Sequence, residues 1–486
     1  MKKYEFWFAV GSQDLYGPEV LAQVEKNARE MVDHLTKALP YPLQFKTVVR
    51  CADDALDLVR EANYDKNCAG IITWCHTFSP SKMWARALQL LQKPWCHFAT
   101  QYHGLIPNDT IDMDFMNLNQ AAHGDREHGF IGARLGRTRK IVIGHWREEA
   151  AQAELGSWMR SAVAADFSGE LRVIRFGDNM REVAVTEGDK IEALIKLGWQ
   201  VDYWPVGHLV EMMDAVTEEQ IDARMEQYRE RYDFATDDLE TVRYQARIEE
   251  AMRAILVRER ASAVVTNFQD LYGMKQLPGL AIQNLMADGY GFGAEGDWKT
   301  AALTAVVKKM GEGLPGGCSF VEDYSYNMDG GASTALVAHM LEICPTLSSK
   351  KAKVEVHPLG IGDREAPARL VFDADAGEAT VVTLLDIGGR MRMIIQDVTC
   401  LQAPEMPNLP VARILWKPEP DLYTSLKCWI QAGGGHHSVL TNQVGAQAIR
   451  DWADIMGLEV LYINKNTTYE AFEAQLRNAQ LYWTLR

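Results

Sequence analysis

The sequence predicts a multidomain α/β protein with two doubly wound domains followed by a β-rich domain. Three observations carry this prediction. Short β-rich runs alternate with helical patterns up to residue 170, and the alternation resumes at residue 171. After residue 317, strand-like runs dominate and few helices lie between them. The predicted domains are 1–170, 171–316 and 317–486, each long enough to bury its own core.

The first domain is predicted from regularly spaced strand-like runs. Strands are expected at 4–10, 43–50, 70–75, 94–100 and 140–146, with a long amphipathic helix at 18–39. This βαβ order favours a parallel, Rossmann-like sheet, in which ligand groups lie on loops after the carboxyl ends of the strands. Three loops of unusual sequence follow predicted strands in this way. They are 11–17, 76–80 and the segment after residue 100.

The second and third domains differ in their patterns. The second is predicted to have strands at 171–177 and 263–268, with long helices between about 213 and 262. The third is predicted to be a sheet or a barrel-like structure closed by helices near 421–432, 443–456 and 468–483. Its expected strands are 354–356, 369–372, 379–385, 391–398 and 413–416.

Composition excludes several classes of partner. The 66 acidic residues outnumber the 50 basic ones, and the formal charge of -16 disfavours nucleic acid and anionic membrane surfaces as partners. No apolar run approaches the roughly 20 residues of a membrane helix. Glu5 interrupts the apolar run after Lys2 and Lys3, so a buried first strand is expected rather than a signal peptide. The eight scattered cysteines indicate reduced thiols and a cytoplasmic protein.

The segment 291–296 reads Gly-Phe-Gly-Ala-Glu-Gly and formally matches a dinucleotide-binding fingerprint. It follows a helical pattern rather than a strand, and its glutamate would oppose pyrophosphate, so nucleotide binding is not favoured. We interpret the segment as a glycine-rich loop that lets Glu295 and Asp297 approach a ligand. An ordinary surface turn is the competing interpretation.

Two further positions carry groups suited to ligand binding. Glu322 and Asp323 interrupt the strand-like run 318–326, and a buried carboxylate without a partner is costly. A solvent-facing strand edge explains this pair equally well. His339 lies in the apolar run 335–341, where a hydrogen-bonded core histidine is the competing interpretation.

Three glycines precede His436 and His437 and give the backbone the freedom that a ligand loop needs. A helix C-cap with exposed histidines is the alternative. If two carboxylates and two imidazoles of these segments converge, their oxygen and nitrogen atoms suit Mn²⁺, Co²⁺ or Mg²⁺ better than a cysteine-bound zinc.

Seven motifs, spread in order along the chain, resemble the L-arabinose isomerase family. They are Gly-Ser-Gln-x-Leu-Tyr-Gly at 11–17, Trp-x-His-Thr-Phe-Ser-Pro-x-Lys-Met-Trp at 74–84, Asp-Met-Asp-Phe-Met-Asn-Leu-Asn-Gln at 112–120, Arg-Phe-Gly-Asp-Asn-Met-Arg-Glu-Val-Ala-Val-Thr at 175–186, Lys-Gln-Leu-Pro-Gly-Leu-Ala at 275–281, Glu-Gly-Asp-Trp-Lys-Thr-Ala-Ala at 295–302 and Gly-Gly-x-His-His at 433–437. This resemblance implies an L-fucose-isomerase-like fold, a homohexamer, and conversion of L-arabinose to L-ribulose and of D-galactose to D-tagatose through an enediol.

The resemblance also implies a metal site and its residues. It implies Mn²⁺, with Co²⁺ or Mg²⁺ as substitutes, and no organic cofactor. The metal ligands that it implies are Glu295, Glu322, His339 and His437, of which Glu295 and Glu322 also act as the acid–base pair. The sugar-binding positions that it implies are Gln13, Leu15, Phe78, His123, Met180 and Phe268. In the family a histidine usually follows the glutamine of the first motif, whereas this chain has Asp14.

Three alternatives are separable by experiment. A sugar isomerase of the same fold could act on L-fucose, although the loops near Gln13 and Met180 favour arabinose. A hydride shift would use the same ion but would need no base for the carbon proton. A non-catalytic sugar-binding protein of the periplasmic-receptor type would need no pair of glutamates and would usually carry a secretory signal.

Overall fold

The computed structural model describes residues 2–329, 331 and 333–485. The chain divides into two compact units, Met1–Asp166 and Phe167–Arg486. The boundaries of the three predicted domains stay a prediction. Among the described helices, none combines the length and the apolar character that crossing a membrane requires.

The first unit alternates strands and helices as its sequence pattern predicts. Its elements are β1 (Glu5–Gly11), α1 (Gly17–Ala38), β2 (Leu43–Val49), α2 (Ala52–Tyr64), β3 (Cys68–Cys75), α3 (Ala85–Leu90), β4 (Trp95–Ala99), α4 (Met113–Leu118), α5 (Ala121–Arg134), β5 (Lys140–Ile143) and α6 (Glu149–Ser168). The strands form one parallel sheet in the order β2-β1-β3-β4-β5, and all eight residues of the central β3 are buried. The strand predicted at 140–146 ends early, at Ile143.

The second unit begins with a smaller parallel sheet. Its first elements are β6 (Arg172–Phe176), α7 (Lys190–Leu197), β7 (Gln200–Trp204), α8 (Val206–Asp214), α9 (Glu218–Arg231), β8 (Asp233–Phe234), α10 (Leu239–Glu259), β9 (Ala263–Thr266), α11 (Leu280–Ala287), β10 (Gly291–Gly293) and α12 (Trp298–Met310). Four of these strands form a sheet in the order β10-β9-β6-β7. The chain is therefore a mixed α/β protein with parallel sheets, as predicted.

The rest of the unit is rich in strands. Its elements are β11 (Cys318–Asn327), β12 (Thr334–Ala338), β13 (Lys353–Val356), β14 (Ala368–Val371), β15 (Gly377–Asp386), β16 (Met391–Leu401), β17 (Ile414–Pro418), α13 (Leu422–Gln431), β18 (His437–Thr441), α14 (Ala446–Met456), β19 (Glu459–Ile463) and α15 (Tyr469–Leu485). A seven-stranded sheet has the order β15-β18-β11-β12-β17-β16-β19, and β15 also pairs with β16. That pairing closes six antiparallel strands, β15, β18, β11, β12, β17 and β16, into a barrel, and β19 pairs in parallel with β16 outside it.

Two of the strands expected in the C-terminal sheet lie elsewhere. The strands β13 and β14 form a separate three-stranded sheet with β8. The two-residue β8 pairs with β13 in parallel, Lys353 opposite Asp233. The strand pattern of the sequence identified both segments as strands but contains no information about this distant partner.

The prediction of a glycine-rich loop at 291–296 is wrong for its first three residues. Gly291–Gly293 forms β10, which pairs in parallel with β9. A Cβ atom at Gly293 would lie 2.1 Å from the carbonyl oxygen of Asp297, and one at Gly291 would lie 2.2 Å from that of Ala301. The glycines are therefore required because helix α12 approaches the strand closely, rather than for the freedom of a loop.

Helix α12 lies in the middle of the second unit. All its residues from Trp298 to Val307 are buried. The helix contacts β9 and β10 of the parallel sheet and β11, β15 and β18 of the barrel. The helix is thus buried on every face, although Lys299, Thr300 and Thr304 are polar. It lies in the interior between the two sheets on which the candidate site is built.

Replacing Gly293 with alanine tests the close packing of β10 and α12. We expect the added methyl group to lower the free energy of unfolding by about 1–3 kcal/mol or more, because the helix backbone cannot move away from a buried strand. Thermal unfolding measures the change. Gly207→Ala in α8 is the matched control, since no atom lies within 4 Å of its Cβ position. An equal melting temperature for wild type and Gly293→Ala would contradict this account.

Candidate functional site

The barrel brings three of the four predicted metal ligands together through strand register. Glu322 lies on β11, directly opposite His437 at the start of β18. On its other side Glu322 pairs with Ala338, the last residue of β12, so that His339 follows immediately. Because β11 lies between these two strands, the three side chains meet at one end of the barrel.

The fourth predicted ligand, Glu295, lies on the turn between β10 and α12. Its backbone has a φ of +57°, which is left-handed and unfavourable for a residue with a side chain. Its carbonyl oxygen accepts a hydrogen bond of 2.9 Å from the Met180 N–H. The next residue, Gly296, packs so closely on Asn179 that a Cβ would lie 2.4 Å from the Asn179 Cα. Such strain is kept where neighbouring structure enforces it, often at functional sites.

The four side chains converge. His339 Nε2 lies 3.7 Å from a Glu322 oxygen, and His437 Nε2 lies 3.8 Å from a Glu295 oxygen. The ligand atoms of Glu295, His339 and His437 all lie within 4.8 Å of one another, and Glu322, His436 and His437 form an overlapping group. His436 lies 3.6 Å from Glu295 but is more exposed than His437, at 34% against 1%.

A carboxylate orients each of the two buried histidines. Asp297 Oδ2 lies 3.1 Å from Nδ1 of His437, and Glu342 accepts a hydrogen bond from Nδ1 of His339. Both rings therefore present Nε2 to the glutamates. The Nε2 atom of His437 is buried and has no hydrogen-bond partner in the described part of the chain. A histidine held at one nitrogen by a carboxylate, with its other nitrogen directed at acidic groups, is the usual arrangement of a metal ligand.

The charges of the site also favour a cation. Four carboxylates surround the two buried histidines, namely those of Glu295, Asp297, Glu322 and Glu342. Burial raises the pKa of the Glu295 carboxyl, but the neighbouring histidines hold that pKa below its ordinary value. Lys299 offsets one negative charge only, at 3.3 Å from Asp297. The residues present fit a divalent ion that accepts oxygen and nitrogen ligands.

A cavity of about 240 Å³ opens onto Glu295, Glu322 and His339. Phe268, one of the predicted sugar-site residues, lies in its wall, and its contact with a sugar stays a prediction. Tyr324 lines it as well, at a β-bulge where β11 slips by one residue against β12. Burial and the neighbouring Glu322 raise the pKa of the Tyr324 hydroxyl. Met180 adjoins the site through its backbone hydrogen bond to Glu295.

The other predicted sugar-site residues cluster within the first unit. Gln13 donates a 3.1 Å hydrogen bond to the Phe78 carbonyl oxygen, and the Phe78 ring stacks on His123 at 4.2 Å. These residues come from the loops after β1 and β3 and from α5, at the carboxyl edge of the sheet. Their contact with a sugar stays a prediction. Leu15 is 83% exposed. Asp14 lies 3.3 Å from Arg50.

Comparison with known proteins identifies the family. Models of the N-terminal, central and C-terminal domains of L-arabinose isomerase match residues 1–169, 172–313 and 317–459. Proteins named L-arabinose isomerase are similar along the whole chain. That of Clostridium beijerinckii is 53% identical over 486 residues, covering 99% of both chains, and that of Thermotoga maritima is 48% identical over 490 residues, covering 100% of this chain and 99% of the relative.

The chain belongs to the L-arabinose isomerase family. This protein is therefore an isomerase enzyme. A third relative, from Geobacillus stearothermophilus, is 49% identical over 492 residues and covers 99% of both chains. The similarity runs through all three matched domains, so it includes both the barrel end with its acidic and histidine side chains and the N-terminal loops.

Two residues of this candidate site could be predicted from the sequence only in part or not at all. The sequence indicates Asp297, like Glu295, as a group that could approach a ligand, but not as the partner of His437, although its position before α12 is a recognisable N-cap signal. Glu342 was missed, and its spacing of three residues from His339 is the signal that could have found it. The partnership of Asp297 with His437 is not visible locally, because the two residues lie 140 positions apart.

Asp297→Asn tests whether the carboxylate orients His437. We expect affinity for Mn²⁺, measured by chelator competition, to fall about ten- to a hundredfold, the usual effect of losing such a partner. Asp189→Asn is the matched control, because Asp189 caps α7 by accepting from the N–H groups of Ile191 and Glu192. If both variants bind Mn²⁺ as tightly as the wild type, the orienting role of Asp297 is wrong.

Proposed function

We propose that this isomerase converts L-arabinose to L-ribulose, and also D-galactose to D-tagatose, by proton transfer through an enediol. The observation that carries the proposal is the convergence of Glu295 and Glu322 on one cavity beside two oriented histidines. The names of the relatives support arabinose as the sugar. Moving a proton between C1 and C2 needs a base on carbon and a proton carrier on oxygen, and two carboxylates can supply both.

We propose that Glu295, Glu322, His339 and His437 hold Mn²⁺, with Co²⁺ or Mg²⁺ as substitutes, and that no organic cofactor takes part. The buried Nε2 of His437, which lacks a partner among the described residues, supports this assignment. When bound, such an ion stabilises negative charge that develops on the sugar oxygens.

The side chains of the chain have separate tasks in this mechanism. One of the two glutamates removes the proton from carbon and returns it to the neighbouring carbon. The other moves a proton between O1 and O2. Asp297 and Glu342 keep the Nδ1 protons of the histidines in place, which fixes both rings. The apolar wall formed by Phe268, Leu277 and Ile361 restricts water around the reacting carbons.

The proposal also covers the fold family, the oligomeric state and the cellular location. The two parallel sheets and the barrel support Rossmann-like domains within an L-fucose-isomerase-like fold. We propose a homohexamer that works in the cytoplasm on a small sugar. The exposed Leu15, Leu105 and Met113 of the first unit support burial against another copy.

A substrate panel tests the proposed reaction. Protein from which metal has been removed with a chelator should be inactive. After Mn²⁺ or Co²⁺ is added back, it should form ketose from L-arabinose and, more slowly, from D-galactose. L-fucose serves as the competing substrate and xylose as the negative control. Turnover that survives exhaustive chelation would contradict the metal assignment, and a preference for L-fucose would contradict the substrate.

The two adjacent histidines provide a matched pair of variants. His437→Ala should weaken Mn²⁺ binding far more than His436→Ala, because His437 is buried and held by Asp297 whereas His436 is partly exposed. Calorimetric titration of each chelated variant measures the difference. Equal losses of affinity would show that the wrong histidine has been assigned.

Glu295→Gln and Glu322→Gln test acid–base catalysis. Each should lower turnover at least about a hundredfold, since the amide cannot accept the proton. Bound metal is measured in parallel, because each residue is also a proposed ligand. In heavy water the wild type should incorporate deuterium into the ketose at C1, whereas a hydride shift would not. Near-normal turnover in a variant that retains metal would refute the acid–base role.

Subunit complementation tests whether the sugar site uses two chains. We propose that His123 serves the substrate of a neighbouring subunit. His123→Ala and Glu295→Ala subunits, each inactive alone, should regain part of the wild-type activity when they are dissociated, mixed and reassembled. If both variants fold and assemble together yet stay inactive, His123 acts within its own chain.

A further inference from the structure

A second cluster of potential metal ligands lies in the first unit. Thr73 of β3 pairs with His97 of β4, so both side chains project from the same face of the sheet. Cys75 follows two residues after Thr73 and shares that face. Asp125 on α5 packs over it. The donor atoms of Cys75, His97 and Asp125 all lie within 4.8 Å of one another.

The close approach of α5 to the end of β3 is built into the sequence. A Cβ atom at Gly124 would lie 2.6 Å from the Cβ of Cys75, so a larger residue would push the helix and Asp125 away. Nε2 of His97 donates a 2.8 Å hydrogen bond to Asp125. This separation is already close to that of two ligands on one ion.

Polar atoms around the cluster lack partners within the described residues. Cys75 is 1% exposed and His97 is 2% exposed. The Ser79 hydroxyl, fully buried beside the Cys75 thiol, makes no hydrogen bond of normal geometry in the described part of the chain. Nδ1 of His97 is likewise buried and without a partner there. No hydrogen bond at Nδ1 therefore fixes which ring nitrogen of His97 carries the proton.

The polar side chains of Cys75, His97 and Asp125 are not what packing of an apolar core requires. A thiol, an imidazole and a carboxylate share a buried site, and the one hydrogen bond between His97 and Asp125 leaves the carboxylate charge poorly compensated. The neighbouring His128 cannot supply that compensation, because its two ring nitrogens already contact Thr73 and Ser81. A cation bound between the three donors would remove the cost.

We propose that Cys75, His97 and Asp125 form a second metal site, for Zn²⁺ or Co²⁺, with water as the fourth ligand. One sulfur, one nitrogen and one oxygen ligand suit these ions better than Mn²⁺ or Mg²⁺. Binding releases the thiol proton of Cys75 to solvent, and the proton that His97 donates to Asp125 moves to Nδ1. This site shares no residue with the proposed isomerase centre, so its failure or success is independent of that proposal.

Titration of the chelated full-length protein with Co²⁺ tests the site. Cobalt bound to a thiolate gives a near-ultraviolet charge-transfer band, and the isomerase centre has no sulfur ligand that could produce it. The exposed Cys51 is first replaced by serine to remove its own reaction with metal. At saturating Co²⁺ we expect a band whose intensity corresponds to one thiolate-bound cobalt per chain. The band should persist in His437→Ala and be lost in Cys75→Ser.

Cys68→Ser is the matched control, because Cys68 is also buried on β3 but lies outside the cluster. It should keep the band. Asp125→Asn should raise the dissociation constant for Co²⁺ at this site about tenfold or more while the protein stays folded, as judged by circular dichroism. A Cys51→Ser protein without any thiolate band at saturating Co²⁺ overturns the proposal even if Cys75→Ser fails to fold. A band that persists in folded Cys75→Ser overturns it as well.

Discussion

The candidate site depends on the contacts of one buried carboxylate, that of Asp297. It accepts hydrogen bonds from the N–H of Thr300 at 3.2 Å and from its hydroxyl at 2.7 Å, which caps α12. It also lies 3.3 Å from Lys299 and 3.1 Å from His437. Burial raises the pKa of Asp297, but Lys299 and His437 more than offset this effect and hold the pKa below its ordinary value. Because an unpaired buried charge is so costly, these partners fix one another's positions.

This constraint links two sheets of different architecture. Asp297 belongs to the turn after the parallel strand β10, whereas His437 begins the barrel strand β18. Helix α12 lies between the sheets and is buried on every side over its first ten residues. The glycines of β10 let the helix pack against the strand at backbone distance. The position of Glu295 relative to Glu322, His339 and His437 is thus set by packing that leaves little room for adjustment.

Local strain concentrates where these sheets meet. Glu295 has a left-handed backbone, and Tyr324 occupies a bulge in β11 next to Glu322. Such departures from regular structure are unfavourable by themselves and persist when surrounding contacts enforce them. Here the enforcing contacts are the Met180 hydrogen bond to Glu295 and the pairing of β11 with both of its neighbours. The strained residues are the same ones that carry or adjoin the proposed acid–base groups.

The sequence by itself determined most helices and strands, the acidic and histidine segments of the site, and the family. Hydrophobic periodicity acts over a few residues, so α1, β11 and the closing helices were predictable within a few positions. It could not show that Gly291–Gly293 forms a strand, because glycine serves loops and close packing alike. Only the tertiary structure decided that β13 pairs with β8, that β15 closes the barrel on β16, and that Asp297 reaches His437. These outcomes depend on register and packing between segments far apart in the chain, which no local pattern encodes.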